Sequence, residues 1–151
     1  MSDKSHRFKK ILIATDGSKH SERAVRVGLE LASCLGSKVL AVYVIDRSFS
    51  LDFPVKTVGY KKDVYEKLTK EGKQALRYAK SEGKKRGIEV KTEIRDGTPA
   101  EELISRCQDY DLVVMGTVGR SGVSRVLLGS VAEKVIRESS CPVLVVGRKS
   151  D

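Results

Sequence analysis

The sequence predicts an α/β fold, a parallel sheet with helices on both faces, and three observations carry that prediction. Short apolar runs alternate with stretches of helical period along all 151 residues. Two of those runs, 39–45 and 111–116, are apolar almost throughout rather than at every second position, the pattern of strands covered on both faces. Turn and cap residues stand at most of the junctions, and strands that alternate with helices connect by right-handed crossovers.

The elements follow in order. Lys10 to Ala14 is a short apolar run with β-branched residues, ended by Thr15-Asp16-Gly17-Ser18, an Asp-Gly turn signal, so a strand leads into a loop. Ala24, Val25, Gly28, Leu29, Ala32 and Leu35 recur at helical spacing, with Ser18 or Ser21 as the N-cap and Gly36 just past the end. Val39 to Ile45 is the second strand, closed by Asp46. Residues 47–59 read as a loop, and a basic helix is expected from about Lys61 to Lys85 with Gly72 as a weak point. Ile88 to Ile94 alternates strictly, which predicts a strand at a sheet edge. Thr98-Pro99-Ala100-Glu101 opens a helix running to about Gln108. After the strand 111–116 comes a long Gly-, Ser- and Arg-rich connection, Thr117 to Leu128. A capped helix from Ser130 to about Ser139 and a last strand, Pro142 to Val146, complete a βαβαβαβαβ order.

Composition bounds the class. With 40% hydrophobic and 32% charged residues the chain has material for one core, and its length fits one domain. No apolar run approaches the roughly 20 residues of a membrane-spanning helix. The first ten residues carry basic side chains without an apolar stretch of secretory length, so no membrane partner and a cytoplasmic location are expected. Cys34, Cys107 and Cys141 are odd in number and widely spaced, which suggests reduced thiols rather than disulfides or zinc. The net charge of +9 is concentrated. Residues 56–86 hold eleven basic against four acidic side chains, a pattern of a solvated face or of an acidic partner. Nucleic acid is not expected, because aromatic platforms are scarce there.

In an open parallel sheet, ligands bind beyond the carboxyl ends of the strands where strand order reverses. The loop after the fourth strand carries Gly116-Thr117-Val118-Gly119, then nine residues, then Gly129-Ser130 at a helix start. Glycines allow close backbone approach, and a helix N-terminus favours an anion, so this is a candidate phosphate cradle. Ser130 can either donate to a phosphate or cap its own helix through Glu133. Asp16 is a candidate ligand contact, with a turn role as its alternative. Thr15 and Ser18 read as cap or turn residues, although Thr15 stays in the candidate set beside Asp16. Arg120 and Arg125 are secondary phosphate candidates, and His20 reads as a helix-start residue rather than a general base.

The spacing Gly-x-x-Gly, nine residues, Gly-Ser, within 115–132, resembles the nucleotide-binding signature of the universal stress protein family. The segments 11–18, 42–46, Gly97-Thr98-Pro99 and 141–146 resemble that family too. The resemblance spans about residues 8–148 and implies one Rossmann-like, adenine nucleotide alpha hydrolase-like three-layer sandwich. Its five parallel strands would stand in the order 3-2-1-4-5, with four helices. It further implies ATP as ligand, with Mg²⁺ or Mn²⁺ carried on the phosphates. Asp16 and Val44 would stand at the adenine end and Gly116, next to Met115, at the ribose. Gly119, Gly129, Ser130 and Val131 would stand at the phosphates, where Arg120 is a secondary candidate read from the loop itself. A homodimer through Pro142 to Val146, an unidentified protein partner and a stress-response switch are also implied. The alternatives are a slow ATPase or phosphotransferase, or an interaction module of the same fold that needs no nucleotide.

Overall fold

The computed structural model describes residues 8–47, 58–118 and 128–147. Along them run β1 (Lys10–Ala14), α1 (Lys19–Leu35), β2 (Lys38–Asp46), α2 (Val58–Lys85), β3 (Val90–Gly97), α3 (Pro99–Cys107), β4 (Leu112–Gly116), α4 (Ser130–Glu138) and β5 (Val143–Val146). All five strands pair in parallel in the order β3-β2-β1-β4-β5. The order reverses at β1, whose neighbours are β2 on one side and β4 on the other, so the loops leaving β1 and β4 open a crevice between them.

The pleat sorts the core into two layers. Ile11, Ile13, Val39, Ala41, Tyr43 and Val114 point to the face covered by α1 and α2. Leu12, Leu40, Val42, Val113 and Met115 point to the face covered by α3 and α4. A strand buried on both faces must be apolar at every position, which is why β1 and β4 read as continuous runs. Large side chains such as Ile11, Leu12, Leu29 and Val113 are fully buried, each contributing about 1.5–3 kcal/mol.

Local chemistry sets the boundaries. Ser18 caps α1 by accepting the Ser21 N–H at 3.2 Å, and Gly36 ends that helix in the left-handed region at φ 68°. Gly72 is a packing residue rather than a weak point: a Cβ there would lie 2.7 Å from the Tyr43 ring, so glycine lets α2 close on β2. The helix α2 starts at Val58, three residues before the expected Lys61, because periodicity without a cap signal places a first turn poorly.

The alternating run at 88–94 does form an edge strand, but shifted to Val90–Gly97. Pairing with β2 carries it on to Gly97 opposite Asp46, and its charged residues Glu93, Arg95 and Asp96 are taken up by ion pairs. Arg95 contacts Glu93 and Glu102, each at 2.6 Å, while Arg106 reaches Glu93 at 3.1 Å, tying β3 to α3. Thr98 has N-cap backbone geometry, yet its hydroxyl makes no capping bond.

Candidate functional site

A cleft of about 340 Å³ opens at the carboxyl ends of β1, β2 and β4, on the side of α3 and α4. Its floor is apolar, formed by Ala14, Val42, Val44, Leu103 and Met115, and its rim carries Asp16, Asp46, Gly116, Thr117, Gly129 and Ser130. An apolar slot with a few polar groups at one end is the usual make-up of a small-molecule site, and this volume lies at the lower end of that range.

Of the ten residues singled out from sequence, eight line this one cleft: Thr15, Asp16, Val44, Met115, Gly116, Gly129, Ser130 and Val131. Gly119 and Arg120, together with Arg125, lie outside the described residues. The Asp-Gly turn positions the first pair. Asp16 Oδ1 accepts the Ser18 N–H at 2.9 Å, an Asx turn that presents the half-buried carboxylate to the cleft. The turn role of Asp16 is thus present, and it leaves the residue at the cleft. Thr15 is buried, and its hydroxyl is held 3.0 Å from Ser21 Oγ while accepting the Gly17 N–H at 3.2 Å. It braces the turn from beneath.

The opposite wall is the start of α4. Gly129, not Ser130, is the N-cap, with φ −72° and ψ 164°, and no side chain caps the helix. The expected Ser130–Glu133 capping box is absent because Ser130 is already the first helical residue. Its exposed hydroxyl lies on the cleft rim. The first bond of the helix runs from the Glu133 N–H to the Gly129 carbonyl at 3.0 Å, so the N–H groups of Ser130, Val131 and Ala132 precede the intrahelical ladder. The Gly129 N–H donates to the Thr117 carbonyl at 2.6 Å, which pins the helix start to the exit of β4. Positive helix-end potential thus faces the cleft with no side chain of its own to satisfy it.

Backbone conformation demands glycine at neither cleft position. Gly116 has no positive φ, and a Cβ there would meet described neighbours no closer than 3.5 Å. Gly129 is in the extended region that any residue adopts. What glycine does provide at both positions is room for another molecule to approach the backbone.

Sequence reasoning missed part of the floor. Leu68 lies on α2 and Leu103 on α3, and nothing in their spacing marks either as reaching the cleft. Among the described residues no group of three or more His, Cys, Asp or Glu side chains comes together to hold a metal ion. No described helix is long and apolar enough to cross a membrane.

Comparison with known proteins gives a consistent result. The model of the universal stress protein family matches residues 7–147. Universal stress protein MJ0531 of Methanocaldococcus jannaschii is 40% identical over 141 residues, 92% of this chain and 82% of its own. The solved structure of MJ0577 from the same organism superposes with a TM-score of 0.84 at 34% identity, covering 97% of this chain and 100% of that one. A universal stress protein solved in complex with cAMP superposes with a TM-score of 0.70 at 28% identity, covering 93% and 98%.

Proposed function

Because the chain belongs to the universal stress protein family, we propose that it binds ATP in the cleft at the β1/β4 crossover and serves as a nucleotide-dependent switch in a stress response. The observation that carries this reading is the uncapped N-terminus of α4 facing the apolar slot. A nucleotide needs both chemistries side by side: apolar cover for a base, and donors with positive potential for phosphates. The relative solved with cAMP supports an adenine nucleotide as the ligand class.

In this reading the base lies over Val44 beside the Asp16 carboxylate, the ribose passes Gly116, and the phosphates meet Gly129, Ser130 and Val131. The N–H groups at the start of α4 supply the donors, and Ser130 adds its hydroxyl. Met115 forms the floor, Thr15 supports Asp16 from below, and Gly119 and Arg120 belong to the phosphate end. A divalent cation, Mg²⁺ or Mn²⁺, fits this site only through the phosphates, since the described residues offer no cluster to hold it alone. There it would neutralise phosphate charge.

The output surface of the switch is the far edge of the sheet. Strand β5 has one paired side, to β4, and its residues Val143, Leu144 and Val145 are half-buried. An edge of this kind calls for a cover, and a second copy of the chain supplies one as a homodimer. The test is direct: denature freshly purified protein and identify the nucleotide released, then titrate nucleotide-free protein with ATP by calorimetry. Neither released adenine nucleotide nor binding heat would refute the reading.

A further inference from the structure

The opposite end of the sheet carries a second cavity, a groove of about 880 Å³ beneath the amino ends of β1, β2 and β3. Lys10, Lys38 and Lys91 line it. Strand register puts Lys10 opposite Lys38, and Lys91 opposite Leu40, two residues beyond Lys38. Leu12 and Leu40 face α3 and α4, so alternation directs all three lysines to that same face. Neighbouring strands stand about 4.8 Å apart, so the lysines rise from adjacent positions.

Like charges directly across adjacent strands oppose pairing. Arg47, Arg86, Arg95, Arg106 and Lys134 have carboxylate partners, whereas exposed lysines on α2 such as Lys70 and Lys73 stand singly in solvent rather than across from one another on paired strands. The three groove lysines are exposed, and among the described residues none has a carboxylate within ion-pair distance. Nearby acids are otherwise engaged or few. Asp111 Oδ2 accepts the backbone N–H groups of Lys9 and Lys10, each at 2.9 Å, and Glu93 is held by Arg95 and Arg106. Glu89 is the one acidic side chain lining the groove. Arg86 also lines it, but its charge is already countered, by Glu82 at 2.7 Å and Glu30 at 3.7 Å.

We infer that this amino-end groove is a docking site for an acidic protein segment, whose carboxylates supply the counter-charges that Lys10, Lys38 and Lys91 lack within the chain. A cluster of like charges at the expense of strand pairing is the kind of local conflict that marks a functional surface. The groove is larger than a single small anion needs. Its one aromatic side chain, Tyr110, is half-buried with the Arg106 guanidinium 5.6 Å from its ring, so no open platform exists for stacking nucleic-acid bases. The site lies at the other end of the strands from the nucleotide cleft and stands independently of what binds there.

The test is fluorescence anisotropy with a labelled hexa-aspartate peptide at low ionic strength. The intact chain binds it, and the triple variant Lys10→Gln/Lys38→Gln/Lys91→Gln binds at least about tenfold more weakly while its thermal midpoint is unchanged or raised, since repulsion is removed. A control that loses three charges from exposed positions on α2, Lys70→Gln/Lys73→Gln/Arg77→Gln, keeps most of the affinity. The single variant Lys38→Gln, the least disruptive, loses severalfold. Any of four results overturns the proposal: no peptide binding by the intact chain, equal loss in the control, tighter binding of a labelled oligothymidylate of equal charge, or displacement of the peptide by ATP.

Discussion

Replacing Gly129 by aspartate sets two consequences of the same geometry against each other. Gly129 already has N-cap dihedrals, φ −72° and ψ 164°, and lacks any side-chain cap. A carboxylate there accepts an N–H from the first turn of α4. The cap contributes a few tenths of a kcal/mol and the helix dipole about 0.3–1 kcal/mol more. For a domain of this size each kcal/mol is worth roughly 2–4 °C, so the melting temperature should rise by about 1–5 °C. The same N–H group is then lost to phosphate. A hydrogen bond to a charged group is worth about 1.5–3 kcal/mol, and 1.4 kcal/mol is tenfold in affinity, so ATP binding falls by at least about tenfold to a hundredfold, with charge repulsion added. Gly129→Asn caps without the charge and loses less. Thermal unfolding in the absence of nucleotide and calorimetric titration read the two effects separately. An aspartate variant that binds ATP as the parent does, or that loses stability and affinity together, would refute the reasoning.

Three other outcomes are expected. Gly83→Ala should destabilise the fold by about 1 kcal/mol in chemical denaturation, because the new Cβ would collide with Val90 Cγ2 and sit 3.0 Å from the Ile88 carbonyl oxygen, outweighing its better helix propensity. Burial pushes the Cys107 thiol from the ordinary 9.0 up to about 11. The folded state thus keeps a proton that the unfolded chain releases, and this contribution to stability is full below pH 9 and is lost as pH rises toward 11. Denaturation midpoints of the parent should fall more steeply over that window than those of Cys107→Ala, and identical slopes would contradict the assignment. For the proposed dimer, Ile136→Glu at a position 46% exposed should weaken self-association about tenfold or more in sedimentation without unfolding the chain, provided the cover on β5 extends to α4.

Much of this architecture was legible in the residues. The apolar runs marked β1, β2, β4 and β5, and the turn at Asp16-Gly17 with the cap at Ser18 marked the start of α1. The glycines at 116 and 129, read with strand order, pointed to one end of the sheet. What the residues did not reveal depends on partners distant in sequence. Strand β3 slid toward Gly97 because its ladder with β2 and its ion pairs with α3 outweighed its own alternation. Ser130 lost its capping role to Gly129 because the Thr117 carbonyl fixes the helix start one residue earlier. Gly72 looked like a flaw until the Tyr43 ring came against it. The lysine groove gathers residues 10, 38 and 91, which no local pattern connects.

The central claim is that the uncapped start of α4 and the apolar slot beside it hold an adenine nucleotide. Calorimetric titration of nucleotide-free protein with ATP tests it most directly. Saturable binding of one ATP per chain is expected, strongly weakened in Gly129→Asp. Absence of binding heat with the intact, folded chain would contradict it.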